Sequence, residues 1–245
     1  MPHPVLALHG FMGRSADWDA VAADLGEAAH LLAPDLAGHG TARALPAEPD
    51  AEADRLIALA AETSGGEPFV LAGYSMGGRL ALHLLARYPK RVRGLVLVSS
   101  APGLRTAEER AARRETDRQR AEAIAADYAA FLNHWYRMPL WGGLDEHLRQ
   151  RLVIDRLNQN DPAALGRALE GLGTGAMAPL WDSLSRIRVP AVAVAGARDA
   201  KYLALADEMA REGPFRVSIA PDAGHALLAE APHRVARAIR SVLFS

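Results

Sequence analysis

The chain reads as an α/β protein: a mostly parallel sheet flanked by helices, with a helical cap insertion. Three observations predict this. Apolar runs of strand length alternate with helical patterns over residues 1–100 and again over 187–245. Each run gives way to a turn rich in Gly, Pro and Asp, the composition of loops at a sheet edge. Between those stretches, residues 101–186 carry long charged helical segments and no buried-strand signal. The division predicted is a core of 1–100 and 187–245 and a cap of 101–186.

The elements follow in order. Val5-Leu6-Ala7-Leu8 is a first strand running into His9-Gly10-Phe11-Met12-Gly13, and Leu31-Leu32-Ala33 is a second, ending at Pro34-Asp35-Leu36-Ala37-Gly38-His39-Gly40. A helix is predicted from Glu52 to Thr63. Phe69-Val70-Leu71-Ala72 is a third strand, Arg79 to Leu85 a helical pattern, and Leu95-Val96-Leu97-Val98 a fourth strand. Ala107 to Ala126 places Glu and Arg at helical spacing in the cap. Val189 to Gly196 and Arg216 to Ala220 complete the sheet.

Between the third strand and its helix lies Gly73-Tyr74-Ser75-Met76-Gly77. Strand, sharp turn and helix around G-x-S-x-G form a nucleophile elbow, which holds the serine hydroxyl clear of the sheet in a strained turn. The partners expected of such a serine follow in the chain order Ser, acid, His. Asp199 sits just past the strand ending at Gly196, and His225 follows Ala220 within five residues. Catalytic groups of a parallel sheet collect beyond the carboxyl ends of its strands, so all three converge on one edge. His225 takes the Ser75 proton, and Asp199 fixes the imidazole tautomer. A loop Asx-turn is the plain alternative for Asp199, and a surface loop histidine for His225. Asp222 is a competing acid, but it lies too close to His225 to fit the order. The oxyanion donors are the N–H groups of Met76, after the serine, and Phe11, in the loop after the first strand. His9 is read as a brace for that loop.

Composition restricts the partners. With 245 residues and 50% hydrophobic content, one domain with an insertion is natural. A net charge of −1 gives no reason to expect nucleic acid, and no apolar run reaches membrane-spanning length, so no membrane insertion is expected. The absence of cysteine excludes disulfides, thiolate metal sites and a cysteine nucleophile. Met1-Pro2-His3-Pro4 leads directly into the first strand, so no signal peptide is read and a cytoplasmic location is expected. No metal and no cofactor is called for. The sequence leaves the oligomeric state open.

The triad pattern, His-Gly-Phe-x-Gly and Pro-Asp-Leu-x-Gly-His-Gly together resemble the α/β-hydrolase superfamily over essentially the whole chain. Gly78-Arg79 after the elbow, Pro102-Gly103-Leu104, Glu108-Glu109-Arg110-Ala111-Ala112-Arg113, Trp135-Tyr136 and Arg198-Asp199-Ala200-Lys201 are more specific. They resemble the 2-succinyl-6-hydroxy-2,4-cyclohexadiene-1-carboxylate synthases of menaquinone biosynthesis. That resemblance implies a lyase, which eliminates pyruvate from a cyclohexene bearing several carboxylates after proton abstraction. Ser75 then serves as a base.

The residues themselves also point to an anionic substrate. Arg79 lies one helical turn after Ser75, where its fork suits a carboxylate. Lys201 shares the loop of Asp199, and Arg113 and Arg156 lie in the cap, with Arg114 as a substitute for Arg113 if the helix is rotated. With 28 Lys and Arg in the chain, a solvated surface role is the plain reading of most of them. Tyr74 and Trp135 are candidates to stack on a ligand, with core packing the alternative for Trp135. Ala226-Leu227-Leu228 is apolar for a polyanion site: these residues either face the core or, if they line the site, point to a less charged substrate. Two other functions fit less well. A serine carboxylesterase or C–C hydrolase would work through an acyl-enzyme, and a non-catalytic binding protein would lack a triad member.

Overall fold

The computed structural model describes residues 2–245. The chain begins β1 (His3–Leu8), α1 (Asp19–Leu25), β2 (Ala29–Leu32), α2 (Pro49–Ser64), β3 (Phe69–Tyr74), α3 (Met76–Arg87) and β4 (Val92–Val98). Four helices follow: α4 (Ala107–Ala126), α5 (Tyr128–Trp135), α6 (Glu146–Gln159) and α7 (Pro162–Leu172). The chain closes with β5 (Ala191–Gly196), α8 (Ala200–Glu212), β6 (Phe215–Ala220), α9 (Leu227–Glu230) and α10 (Pro232–Leu243).

The strands form a sheet in the order β2-β1-β3-β4-β5-β6, and every neighbouring pair is parallel. Covering both faces is what makes interior strands uniformly apolar: all six residues of β5 are buried. Leu6, Leu8 and Leu71 face α2, α3 and α8 through Leu56, Leu80, Leu84 and Met209. The alternate residues Val5, Ala7, Val70 and Ala72 face α1 and α10 through Val21 and Ile239.

Several boundaries differ from the sequence expectation for local reasons. Helix α2 begins at Pro49 rather than Glu52, because proline at the first helical position has its φ already set and needs no N–H partner there. Strand β2 runs Ala29–Leu32, one residue short of Ala33, and β5 begins only after Pro190. Helix α4 starts at a capping box: the Glu109 N–H donates to Thr106 Oγ1 at 3.1 Å, and the Thr106 N–H donates to Glu109 Oε2 at 2.9 Å.

Strand β1 lies between β2 and β3, so the chain leaves β1 to one side and returns on the other. This reversal opens a crevice at the carboxyl ends of β1 and β3, where ligands bind in open α/β sheets. The helical segment between β4 and β5 covers it. A third apolar cluster, including Ile124, Phe131, Leu132, Trp135, Trp141 and Leu165, contacts the sheet edge through Met12 and Ala226. Two polar ties reinforce that seam. Arg156 donates to both carboxylate oxygens of Asp17 at 2.8 and 2.7 Å, and Asn160 Nδ2 donates to the Met12 carbonyl at 3.0 Å. Among the described residues, no helix is long and apolar enough to cross a membrane.

Candidate active site

Ser75 joins β3 to α3 with φ at 52° and ψ at −110°. A side chain at positive φ stores roughly 1–3 kcal/mol, so the surroundings must hold it there. They do so through the backbone. The Ser75 N–H donates to the Val98 carbonyl at 2.9 Å, and its own carbonyl accepts from the Gly78 N–H at 3.1 Å and Ser100 Oγ at 2.7 Å. Gly77 is required in this turn, since a Cβ there would collide with the Leu8 and His9 carbonyls of the neighbouring strand.

Asp199 caps α8: its Oδ1 accepts the Tyr202 N–H at 3.2 Å, leaving Oδ2 2.7 Å from His225 Nδ1. An ionised carboxylate only accepts, so Nδ1 carries the proton and Nε2 is a free base. Nε2 points at Ser75 Oγ, 3.3 Å away. Asp199 and His225 are both buried. The rings of Tyr202, Trp141 and Tyr74 surround the imidazole, with centroids 4.6, 5.1 and 5.7 Å away. Asp222 stands outside this relay, and its backbone carbonyl accepts from Arg198.

Among the described residues the Phe11 N–H has no backbone acceptor, and Met76 opens α3, where the first N–H groups lack intrahelical partners. The His9 ring sits behind this loop. Its Nδ1 pairs with the Gly10 carbonyl at 2.8 Å, and its Nε2 accepts the Leu36 N–H at 2.9 Å. Burial holds its pKa below the usual histidine value. His39, packed edge-on against His9 and Phe11, is pushed down to about 3, chiefly by burial. Both rings are therefore neutral braces at physiological pH.

A cavity of about 500 Å³ opens in front of Ser75. Of the residues singled out from sequence, Ser75, Asp199, His225, Phe11, Met76, Tyr74, Arg79, Arg113, Trp135 and Lys201 all line it. Arg79 is only 7% exposed, and its Nε has no hydrogen-bond partner among the described residues. Burial lowers its pKa to about 10. Lys201 is lowered as well, by burial and then by the charge of Arg113. Arg113 donates to Asp117 at 2.8 Å. Arg114 points elsewhere, with Nη1 on the Gly175 carbonyl at 3.0 Å. Trp135 stacks on Phe131, with ring centroids 5.6 Å apart, and also lines the cavity.

Arg156, expected from sequence to contact substrate, does not line the Ser75 cavity itself: its guanidinium pairs with both oxygens of the half-buried Asp17 carboxylate in a small neighbouring cleft that shares Phe11, Tyr74 and Trp141 with that cavity. Ala226 and Leu228 line that same cleft and are buried, as the core alternative expected. The sequence reading also missed several lining residues, among them Arg120, Arg198, Trp141 and Tyr202. Arg120 had a signal, since it lies seven residues, two helical turns, after Arg113. Among the described residues, no group of three or more His, Asp or Glu is placed to hold a metal ion.

Comparison with known proteins places the fold among known relatives. A family described as the alpha/beta hydrolase fold matches residues 3–232. The putative 2-succinyl-6-hydroxy-2,4-cyclohexadiene-1-carboxylate synthase of Bacillus subtilis (strain 168) is 34% identical over 249 residues, covering 98% of this chain and 90% of that protein. The structure of MenH from S. aureus superposes with a TM-score of 0.90 at 28% identity, over 98% of this chain and 93% of that one. A malate-bound thermophilic esterase from Thermogutta terrifontis superposes with a TM-score of 0.83 at 27% identity, over 98% and 89%.

Proposed function

This chain belongs to the α/β-hydrolase fold family and, within it, to the 2-succinyl-6-hydroxy-2,4-cyclohexadiene-1-carboxylate synthases; on that premise we propose that it is a lyase. It eliminates pyruvate from 2-succinyl-5-enolpyruvyl-6-hydroxy-3-cyclohexene-1-carboxylate, a step of menaquinone biosynthesis. The observation that carries this reading is the buried Arg79 guanidinium, whose Nε has no hydrogen-bond partner among the described residues, in the cavity that holds Ser75. A cation desolvated in that way favours an anionic guest, and the substrate bears three carboxylates.

In the proposed reaction, Arg79, Arg113 and Lys201 hold substrate carboxylates, and Tyr74 and Trp135 bound the ring. Ser75 Oγ, its proton drawn to His225 Nε2, removes the hydrogen on the ring carbon next to the succinyl ketone. Asp199 stabilises the imidazolium that results. Charge develops on the ketone oxygen, where the Phe11 and Met76 N–H groups receive it; one such donor is typically worth ~3–4 kcal/mol. The enolate collapses through the ring double bond, the ring carbon–oxygen bond breaks, and the enolpyruvyl group leaves to become pyruvate on protonation. No acyl-enzyme forms. A small polyanion does not cross a bilayer unaided, so the proposal includes a cytoplasmic setting.

The likeness to the esterase supports a second reading, in which Ser75 attacks an ester as a nucleophile. The test is pyruvate release from freshly made substrate, with Ser75→Ala as control. Serine-dependent release far above spontaneous decay is expected. No release above background from folded protein, together with an acyl-enzyme on activated esters, would establish the second reading instead.

A further inference from the structure

Helix α4 carries a three-residue charge cluster whose two arginines line the cavity that Arg79 also lines. Arg113, Asp117 and Arg120 lie at positions i, i+4 and i+7, one face of the helix. Asp117 is 2% exposed. Its Oδ1 accepts from Arg113 Nε at 2.8 Å and from Arg120 Nη1 at 3.1 Å, so one oxygen holds two guanidinia. Its Oδ2 is buried with no partner, against Gly173, where a Cβ would stand 2.9 Å from that oxygen. Arg120 is held further by the face of Trp135, with its guanidinium carbon 5.1 Å from the ring centroid. Each arginine gives one hydrogen bond to Asp117 and keeps most of its five donors, and both line the cavity. The cluster carries one net positive charge in a fixed frame.

Resting on the lyase reading above, we propose that Arg113 and Arg120 form a carboxylate subsite distinct from that of Arg79. In it Arg120 sets specificity for a second carboxylate, and Asp117 is the positioning residue that aims both forks. The geometry separates aiming from charge. Were the cluster only a source of positive potential, removing the Asp117 charge would strengthen anion binding. If Asp117 aims the forks, removing it weakens binding even though the net charge becomes more positive.

The test titrates tricarballylate and acetate into the wild type, Arg120→Gln, Arg120→Lys and Asp117→Asn by calorimetry at fixed ionic strength, with pyruvate release measured in parallel. The wild type should bind tricarballylate more tightly than acetate. Arg120→Gln should lose roughly ten- to a hundredfold in tricarballylate affinity, the range for one charge-assisted contact, with acetate little changed. Arg120→Lys should recover only part of the loss, since a point charge lacks the fork. Asp117→Asn should also lose affinity, and in turnover both variants should raise KM more than they lower kcat. Undiminished tricarballylate binding by Arg120→Gln, or no binding by the wild type, would overturn the subsite. Tighter binding by Asp117→Asn would overturn the positioning role, and should that variant fail to fold, the fork dependence read from Arg120→Lys decides the matter. Arg120-dependent binding without pyruvate release would leave the subsite standing and the lyase reading fallen. Normal release, equal in Arg120→Gln, would do the reverse.

Discussion

Replacing Arg79 with methionine exchanges a buried guanidinium for an apolar chain of similar length in α3, and its effects on stability and activity should run in opposite directions. The side chain is 7% exposed, its Nε has no partner among the described residues, and burial lowers its pKa to about 10. At about 1.4 kcal/mol per pKa unit, holding the charge in the cavity costs ~3 kcal/mol. The unfolded chain binds the proton more tightly, so stability would rise with pH above about 10, and at pH 7 the penalty is present in full. Removing the charge should therefore raise Tm by roughly 6–12 °C, at 2–4 °C per kcal/mol for a chain of this size. The same change deletes a charge-assisted contact worth about 1.5–3 kcal/mol, so kcat/KM should fall roughly ten- to a hundredfold. Differential scanning fluorimetry and initial rates of pyruvate release measure both. A lowered Tm would refute the unpaired-charge argument, and an unchanged kcat/KM would remove Arg79 from the substrate site.

Other expectations follow from the same geometry. Asp199→Asn should lower kcat by about 10⁴ with little change in KM, because an amide can donate to Nδ1 and select the wrong tautomer; pre-steady-state and steady-state rates would show it. His39 stays neutral in the fold until about pH 3, while the unfolded chain takes up its proton near 6.5. Stability should therefore fall as pH drops below 6.5, by about 1.4 kcal/mol per pH unit per such histidine, and His39→Gln should flatten the slope by one proton in urea titrations. Asp17→Asn leaves Arg156 buried without its counter-charge and should cost about 3–5 kcal/mol in urea denaturation, whereas the double change Asp17→Leu with Arg156→Met should recover most of that loss. Equal stability of the single variant and the wild type would contradict the burial argument.

What the sequence made legible was whatever short-range pattern encodes. β5 is buried on both faces and reads as an unbroken apolar run, and the elbow declares itself through glycines whose absent side chains make room for a neighbouring strand. Asp199 and His225 followed from chain order, because successive parallel strands deliver their ends to one edge. Arg79 followed from a single helical turn. What stayed hidden depends on partners distant in the chain. Nothing near Arg156 announces that Asp17, 139 residues away, will take its guanidinium. The rings of Trp141 and Tyr202 reach His225 from two different segments, and helical spacing alone does not say which face of α4 turns inward. The start of α2 was missed because proline at its first position moved it by less than a turn, whereas the capping box put α4 where the sequence expected it.

The ties from α6 and the residue just after it, to Asp17 and to the Met12 carbonyl, have a consequence for what the enzyme accepts. Met12 is the residue next to Phe11, so the helical cover and one wall of the proposed oxyanion pocket are tied together. A guest too bulky for the cover to seat would meet Ser75 while Phe11 had lost its support. It would occupy the cavity and not react. Selection by size is thus exercised at the step where charge develops, as a gate on turnover rather than on entry, and oversized analogues should act as inhibitors instead of slow substrates.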